Sequence, residues 1–576
     1  MRILISCAMK PVHSTAVSHR AVLVPSVPPR RRSHGVAPSR ALARIGLTLF
    51  SLWLALPVLA LLLAALTWDA GSTSVLREMA ATVLPDYVRT TLWVCAVVAV
   101  AVGVVGSATA VAVTVFDFPG RRTAEWLLLL PLAMPAYVVA YAYTDFLQYS
   151  GPLQTALREW TGWQGRLLPE IRSPWGAAWV FTFTLYPYVY LLARTALSER
   201  APQLLEAARL LGAPLGRRLR EVALPMARPA IAAGVALALM ETLADFGVVS
   251  YFGVQTFTAG IYKAWLVMDD RTAAAQLAIM LLAWVALLLW VEQRAQRRMR
   301  FATQRVARGS AEAQPVRLRG GQVAAAWLVC TLPVMFGFVL PVLFMLRPLW
   351  HGWDELPWHA FGGWARNSLV LAASSAALAT AAALALAHTA RRLPGALTRV
   401  QVRLVGLGYA VPGAVVVVGL LLPVGWAQAR WPDSHVAYWV TTTVLGIVWA
   451  YLVRFTSVAL QSVQSGYSRI PRSWDDAATT LGVAGAALWW RVHWPLLRRS
   501  VLAAALLVFV DVMKELPATL VLRPFDMDTL AVVAHQLARD ERLGEAALPA
   551  LTLVAVGLVP VIWLSRAMRR GEAPAC

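Results

Sequence analysis

Lysine is almost missing from this 576-residue chain, which carries only Lys10, Lys263 and Lys514. None of them follows a glycine, so a Gly-Lys-Ser/Thr phosphate-binding loop is excluded and any nucleotide chemistry must sit on another chain. Charged residues of both signs together make up 14% of the chain, where a soluble domain holds about a quarter. Cysteine is nearly as scarce. Cys7, Cys95, Cys330 and Cys576 form no CxxC or CxxxH spacing, and Cys95 and Cys330 lie inside apolar runs, where they read as small apolar residues. No basic patch interleaved with aromatics stands on a soluble stretch, so the net charge of +22 does not describe a nucleic-acid surface.

What is abundant is apolar sequence: 59% of residues, with a mean hydropathy of +0.60. It is grouped into runs of about 20 residues, the length that crosses a bilayer as a helix. Helices are required there because a lipid-exposed backbone group has no water to pair with. Twelve spans are predicted, near 46–67, 89–115, 125–147, 174–196, 229–250 and 273–292, then 323–346, 366–388, 402–424, 436–459, 499–522 and 544–565. Arginine orients them. Arg30, Arg31, Arg32, Arg40 and Arg44, then Arg121 and Arg122, Arg217, Arg218 and Arg220, and Arg294 fall on one side. So do Arg391 and Arg392, Arg498 and Arg499, and Arg566, Arg569 and Arg570. The positive-inside rule makes that side cytoplasmic and places both termini there. Opposite loops are mixed or acidic, as at Asp269-Asp270-Arg271 and Asp354-Glu355. The expected fold is therefore an all-α integral membrane protein. Residues 1–45, with Pro25, Pro28, Pro29 and an arginine run, read as a cytoplasmic basic tail, because the run after them is long enough to span instead of being a cleaved signal. Residues 46–300 form a first half, 301–322 a polar linker with Gly309, Ser310, Gly320 and Gly321, 323–570 a second half, and 571–576 a short tail.

The halves repeat one another. Glu206-Ala207-Ala208, three residues, Gly212, nine residues and Val222-Ala223-Leu224-Pro225 recur as Asp476-Ala477-Ala478, Gly482 and Val492-His493-Trp494-Pro495 at the same spacing. The offset is constant, since 476−206, 482−212 and 495−225 are all 270. Each copy lies in an arginine-containing segment on the cytoplasmic side and suggests a helix, a glycine turn and a second helix, presented to a groove on a soluble partner. A single copy is as well explained by an amphipathic loop lying on the headgroups; two copies in register favour a shared docking role.

This spacing resembles the EAA loop of ABC-importer permeases, E-A-A-x3-G-x9-I-x-L-P. The first copy departs at Val222; the second departs at Asp476, Val492 and Trp494. Glu241-Thr242-Leu243-Ala244-Asp245-Phe246-Gly247, Ser250-Tyr251-Phe252-Gly253 and Thr258-Ala259-Gly260-Ile261-Tyr262 are similar to the ferric-iron branch of that family. So are Asp511-Val512-Met513-Lys514-Glu515-Leu516-Pro517, Leu522-Arg523-Pro524-Phe525-Asp526 and Asp528-Thr529-Leu530-Ala531. The resemblance implies the type I importer fold, two homologous six-helix halves in a bacterial inner membrane. It implies that Glu206, Ala207, Ala208, Gly212 and Pro225, with Asp476, Ala477, Ala478, Gly482 and Pro495, seat two ATPase subunits that use the ATP, while this chain binds no cofactor. It also implies ferric iron as the substrate and a periplasmic binding protein docking near 251–272 and 523–542. Phosphonate, sulfate, polyamine or thiamine remain alternative substrates.

The repeat register also aligns four acids. Glu241 and Asp511 follow Pro225 and Pro495 by 16 residues, and Asp245 and Glu515 follow by 20. Each half is thus expected to place two carboxylates at i and i+4 on one face of its fifth span. At 1.5 Å per residue the first of each pair lies roughly 16 Å deep. A carboxylate there costs several kcal/mol unless it meets water or a partner, so the four are candidates to line or gate a path for a hard cation. The structural alternative pairs them with Lys514, Arg523 or helix ends, Glu515 serving backbone left free by Pro517. Proton relays of a secondary transporter would explain the acids but not the duplicated loop. Tyr137, Tyr141, Tyr143, Tyr186, Tyr188 and Tyr190 either face the path or pack between helices. Pro131, Pro135, Pro187, Pro412 and Pro423 are expected to kink their spans.

Overall fold

The computed structural model describes residues 38–66, 70–303, 316–351 and 353–571. Of the predicted tail over 1–45, positions 1–37 lie outside the described residues and 38–45 open the first helix, Pro38–Leu66. Of the linker, 304–315 lie outside; the helix Arg271–Thr303 precedes them and the strand Val316–Arg317 follows. That strand pairs in parallel with Phe116–Asp117, and these are the only strands among the described residues.

Among the described residues ten helices are long and apolar enough to cross a membrane. An eleventh crossing is counted if the bent pair Arg121–Ala133 and Ala136–Thr161, which meet at 89°, is one broken span and not a re-entrant loop. Pro131 lies in the 3-10 turn before this break and Pro135 caps the helix after it, as expected of residues that remove a backbone donor. Pro412 caps Gly413–Arg430 in the same way. The remaining expected span, 499–522, is not among these helices and is interrupted. Trp494–Met513 carries Arg498, Arg499 and Asp511, stops, and resumes as the short helix Pro517–Leu522. Its counterpart stops equally, with Leu224–Ala244 followed by Gly247–Tyr251. In the second copy Pro517 supplies the reason, having no N–H to continue the ladder.

Small residues let the helices approach. A Cβ on Gly106 would stand 2.6 Å from Val189 Cβ, and one on Gly234 would stand 2.6 Å from Val189 Cα. The helices Leu84–Val115 and Leu224–Ala244 therefore press on Pro174–Leu210 at backbone distance, as in bilayer packing generally.

The halves are interlocked by their leading helices. Pro38–Leu66 lies on the second half: Trp53 stacks on Trp449 with centroids 5.4 Å apart, and Gln401 Nε2 donates to Thr48 Oγ1 at 2.7 Å. The leading segment of the second half, Gly321–Trp350, lies on the first. Trp327 Nε1 donates to the Pro119 carbonyl at 3.0 Å, Tyr143 Oη to the Phe336 carbonyl at 2.7 Å, and Phe344 stacks on Phe146 at 3.8 Å.

Candidate substrate path and coupling loops

Where the two interrupted fifth spans meet lies a cavity of about 140 Å³. All four aligned acids line it: Glu241, Asp245, Asp511 and Glu515. The single helical face expected for each pair is not what forms. The helices end at Ala244 and Met513, so Glu241 and Asp511 are helical while Asp245 and Glu515 stand in the breaks. There they perform matched duties. The Val248 N–H donates to Asp245 Oδ1 at 2.8 Å, and the Ala518 N–H to Glu515 Oε1 at 3.0 Å. Each carboxylate receives the N–H three residues on and so opens the helix that restarts the span.

Glu515 is the more completely engaged. Its Oε1 also accepts from Arg454 Nη1 at 2.9 Å, and its Oε2 from the Thr519 N–H at 3.1 Å and Thr519 Oγ1 at 2.8 Å. The structural role weighed from the sequence therefore describes Glu515, with Arg454 as its cation in place of Lys514 or Arg523. Lys514 instead pairs with Asp511 at 2.9 Å and lies within electrostatic range of Glu241. Arg523 pairs with Asp528. Tyr188 and Tyr409 stand beside Glu241 and Asp511 on the cavity wall. Among the described residues no three His, Cys, Asp or Glu side chains form a group that would hold a metal ion.

Two cavity residues that matter to its chemistry escaped the sequence reading. Arg454 and Tyr409 both line it, and Arg454 is only 7% exposed. The available signal for Arg454 was a lone arginine inside the apolar run 436–459, a position that demands a partner. The cations come from one half only: at the 270 offset Arg454 and Lys514 correspond to Thr184 and Ala244, which line the same cavity. Of the six tyrosines, Tyr137 and Tyr188 line the cavity. Tyr141 hydrogen-bonds His535 at 2.7 Å, and Tyr186 and Tyr190 donate to the Leu128 and Glu125 carbonyls at 3.0 Å each. These last, with Tyr143, pack between helices.

The duplicated loops fold alike. Gly212 and Gly482 have φ of +78° and +81°, left-handed values that a glycine adopts without strain. The following N–H, of Ala213 or Val483, donates to the carbonyl of Ala208 or Ala478 at 3.0 and 2.9 Å, closing each helix end with the same six-residue motif. A short helix and a widened turn follow, Arg218–Ala223 in one copy and Trp489–His493 in the other, just before Pro225 and Pro495. Widening there relieves the proline ring of pressing on the carbonyl four residues back. Leu211 and Leu481, immediately before the glycines, are 87% and 82% exposed.

One asymmetry separates the loops. Asp475 accepts from Arg391 Nε at 2.7 Å and pairs with His493 Nε2 at 2.9 Å, tying the helix Arg472–Thr480 to both neighbouring segments. Burial pushes this carboxyl up, but the bonds and charges of Arg391 and His493 outweigh it and hold it below the usual range. The first copy carries Leu205 and Ala223 at the corresponding positions and has no such tie.

The model of a family described as binding-protein-dependent transport system inner membrane component matches residues 103–301, a stretch that includes the first duplicated loop. The sulfate transport system permease protein CysT of Salmonella typhimurium is 30% identical, over 35% of this chain and 73% of that protein. The chain belongs to this permease family. Two relatives extend across both halves of the permease. The Fe(3+)-transport system permease protein FbpB 2 of Haemophilus influenzae is 25% identical over 78% of this chain and 84% of its own length. The probable ABC transporter permease protein y4fN of Sinorhizobium fredii is 24% identical over 91% and 95%. The permease is thus a multi-pass inner-membrane transport component of the ABC-importer class, with the all-α fold expected of it.

Proposed function

We propose that this permease carries ferric iron inward, powered by two ATPase subunits seated on its duplicated loops and fed by a substrate-binding protein on the opposite face. The observation that carries the powered part is the matched geometry at Gly212 and Gly482: two helix ends with one conformation, each presenting an exposed leucine on the arginine-rich, cytoplasmic side. Glu206, Ala207, Ala208, Gly212 and Pro225, with Asp476, Ala477, Ala478, Gly482 and Pro495, form those seats. ATP is consumed on the partners, and the permease binds no cofactor. Closure of the partners swings the halves, 46–300 and 323–570, between outward and inward states. The delivering protein docks around 251–272 and 523–542; part of that stretch, Asp528 to Arg542, borders an open cleft of about 860 Å³.

Iron as the substrate is supported by the long match to the Haemophilus protein and by the cavity, where four carboxylates face two cations. One observation favours a second substrate class. Arg454 and Lys514 would suit an oxyanion, and relatives matching 30–35% of the chain include sulfate, molybdenum and 2-aminoethylphosphonate permeases. Uptake into vesicles holding the permease and its ATPase, with radioactive iron or sulfate offered on the binding protein, decides between them. Iron uptake that requires ATP supports the proposal; ATP-driven sulfate uptake without iron uptake rejects the iron assignment; uptake on an ion gradient alone rejects the powered mechanism.

A further inference from the structure

The second half carries, beside its duplicated loop, an arginine-lined pocket of about 550 Å³ between the helices Trp358–Arg392, Ala396–Gly406, Val444–Ser468 and Arg472–Thr480. Arg399, Arg403 and Arg472 border it, and among the described residues none of the three forms an ion pair. Arg399 Nε reaches only the Gly395 carbonyl, at 3.4 Å. The helix Ala396–Gly406 buries Thr398, Gln401 and Val405 on one side. On another it exposes Leu397, Val400 and Leu404, continued by its C-cap Leu407, at i, i+3, i+7 and i+10. The two arginines it contributes lie between that apolar face and the pocket.

The first half shows what such a place looks like when filled from within. There Glu125 bridges Arg121 and Arg194 at 3.2 and 3.0 Å, closing the space between the bent pair and Pro174–Leu210. Glu125 lies ten residues before Pro135; ten residues before Pro412, the proline that caps the corresponding helix, stands Val402. Arg194 corresponds at the 270 offset to Gln464. Val402 and Gln464 both line the open pocket. The second half thus has valine where the first has its internal anion, yet arginines still surround the place.

We infer that this pocket binds the phosphate group of an anionic phospholipid, with the acyl chains lying on Leu397, Val400, Leu404 and Leu407. Phosphate is the chemistry that arginine forks recognise, and the adjoining exposed apolar stripe selects a lipid over a free anion. Because Arg472 opens the helix of the second coupling loop, the lipid would be held directly against that loop.

The test measures binding of spin-labelled phosphatidylglycerol and spin-labelled phosphatidylcholine to the purified permease in phosphatidylcholine nanodiscs. The wild type should prefer phosphatidylglycerol. Removing arginines as Arg399→Gln, Arg403→Gln and Arg472→Gln should weaken that preference about fivefold each, whereas Arg122→Gln with Arg319→Gln should leave it unchanged. Val402→Glu, which restores the internal carboxylate while keeping every arginine, should also abolish it. Equal binding of the two lipids by the wild type overturns the inference, as does displacement of the label by millimolar inorganic phosphate, which would make the ligand a soluble anion. Loss of ATPase-subunit binding in neutral lipid by a variant carrying all three of these arginine substitutions overturns it too, assigning the arginines to a protein seat.

Discussion

Arg454 donates to Glu515 at 2.9 Å inside the bundle, linking the fourth span of the second half to the point where its fifth span breaks. With one partner removed, the other is left charged and desolvated. Arg454→Met should therefore destabilise the permease by about 3–5 kcal/mol, while Arg454→Met with Glu515→Gln should recover most of that loss. Denaturant unfolding in detergent measures both. If the double variant costs as much as the sum of the singles, the two residues are not acting as a pair.

Glu241 and Asp511 differ from the capping acids, being the helical pair on the cavity wall. Glu241→Ala with Asp511→Ala should sharply lower iron uptake at unchanged assembly with the ATPase. Normal uptake by a normally assembled double variant would remove the acids from the substrate path.

Gly212 and Gly482 stand clear of any neighbour, with nothing within 4 Å of where a side-chain methyl would stand, so a substitution acts through the backbone alone. Gly212→Val or Gly482→Val should cost about 1–3 kcal/mol locally, by forcing a branched residue into the left-handed region. The transmembrane bundle should stay folded while co-purification of the ATPase subunit falls. Retention of the ATPase by the double variant would show that the conformation of the turn is irrelevant to docking.

Asp475 makes the second loop sensitive to acid. Its carboxyl is held below the ordinary value of ~3.9, so its tie to Arg391 and His493 is fully present above that pH and is lost as pH falls through the lower folded-state value. Limited proteolysis should show the segment 472–493 becoming cleavable below about pH 4. Asp475→Asn should make that segment cleavable at neutral pH as well, with the first loop unaffected. Equal cleavage of both loops at every pH would contradict the asymmetry.

Much of this was legible in the chain itself. The spans follow from apolar runs of bilayer length, and the loops from a repeated glycine whose left-handed turn no other residue makes as easily. The acids were found by register, but their division of labour was not. Placing Asp245 and Glu515 on a helical face assumed that the fifth spans continue to 250 and 522, whereas they stop at Ala244 and Met513. Whether an apolar stretch stays helical past such a point depends on which neighbours take its backbone groups, and those come from distant sequence. Tyr137 Oη, for example, donates to the Lys514 carbonyl at 3.3 Å, a partner 377 residues away. Arg454 was hidden for the same reason, since its carboxylate lies on another span.

The exchange of leading helices has a mechanical corollary. A bundle whose halves merely abutted could part like jaws. Here each half carries a strut belonging to the other, fastened at Trp53–Trp449 on one flank and Phe146–Phe344 on the opposite one. If the halves move against one another, each strut is placed to ride with the half it lies on. Severing the chain between 304 and 315 should leave two fragments that still clasp one another.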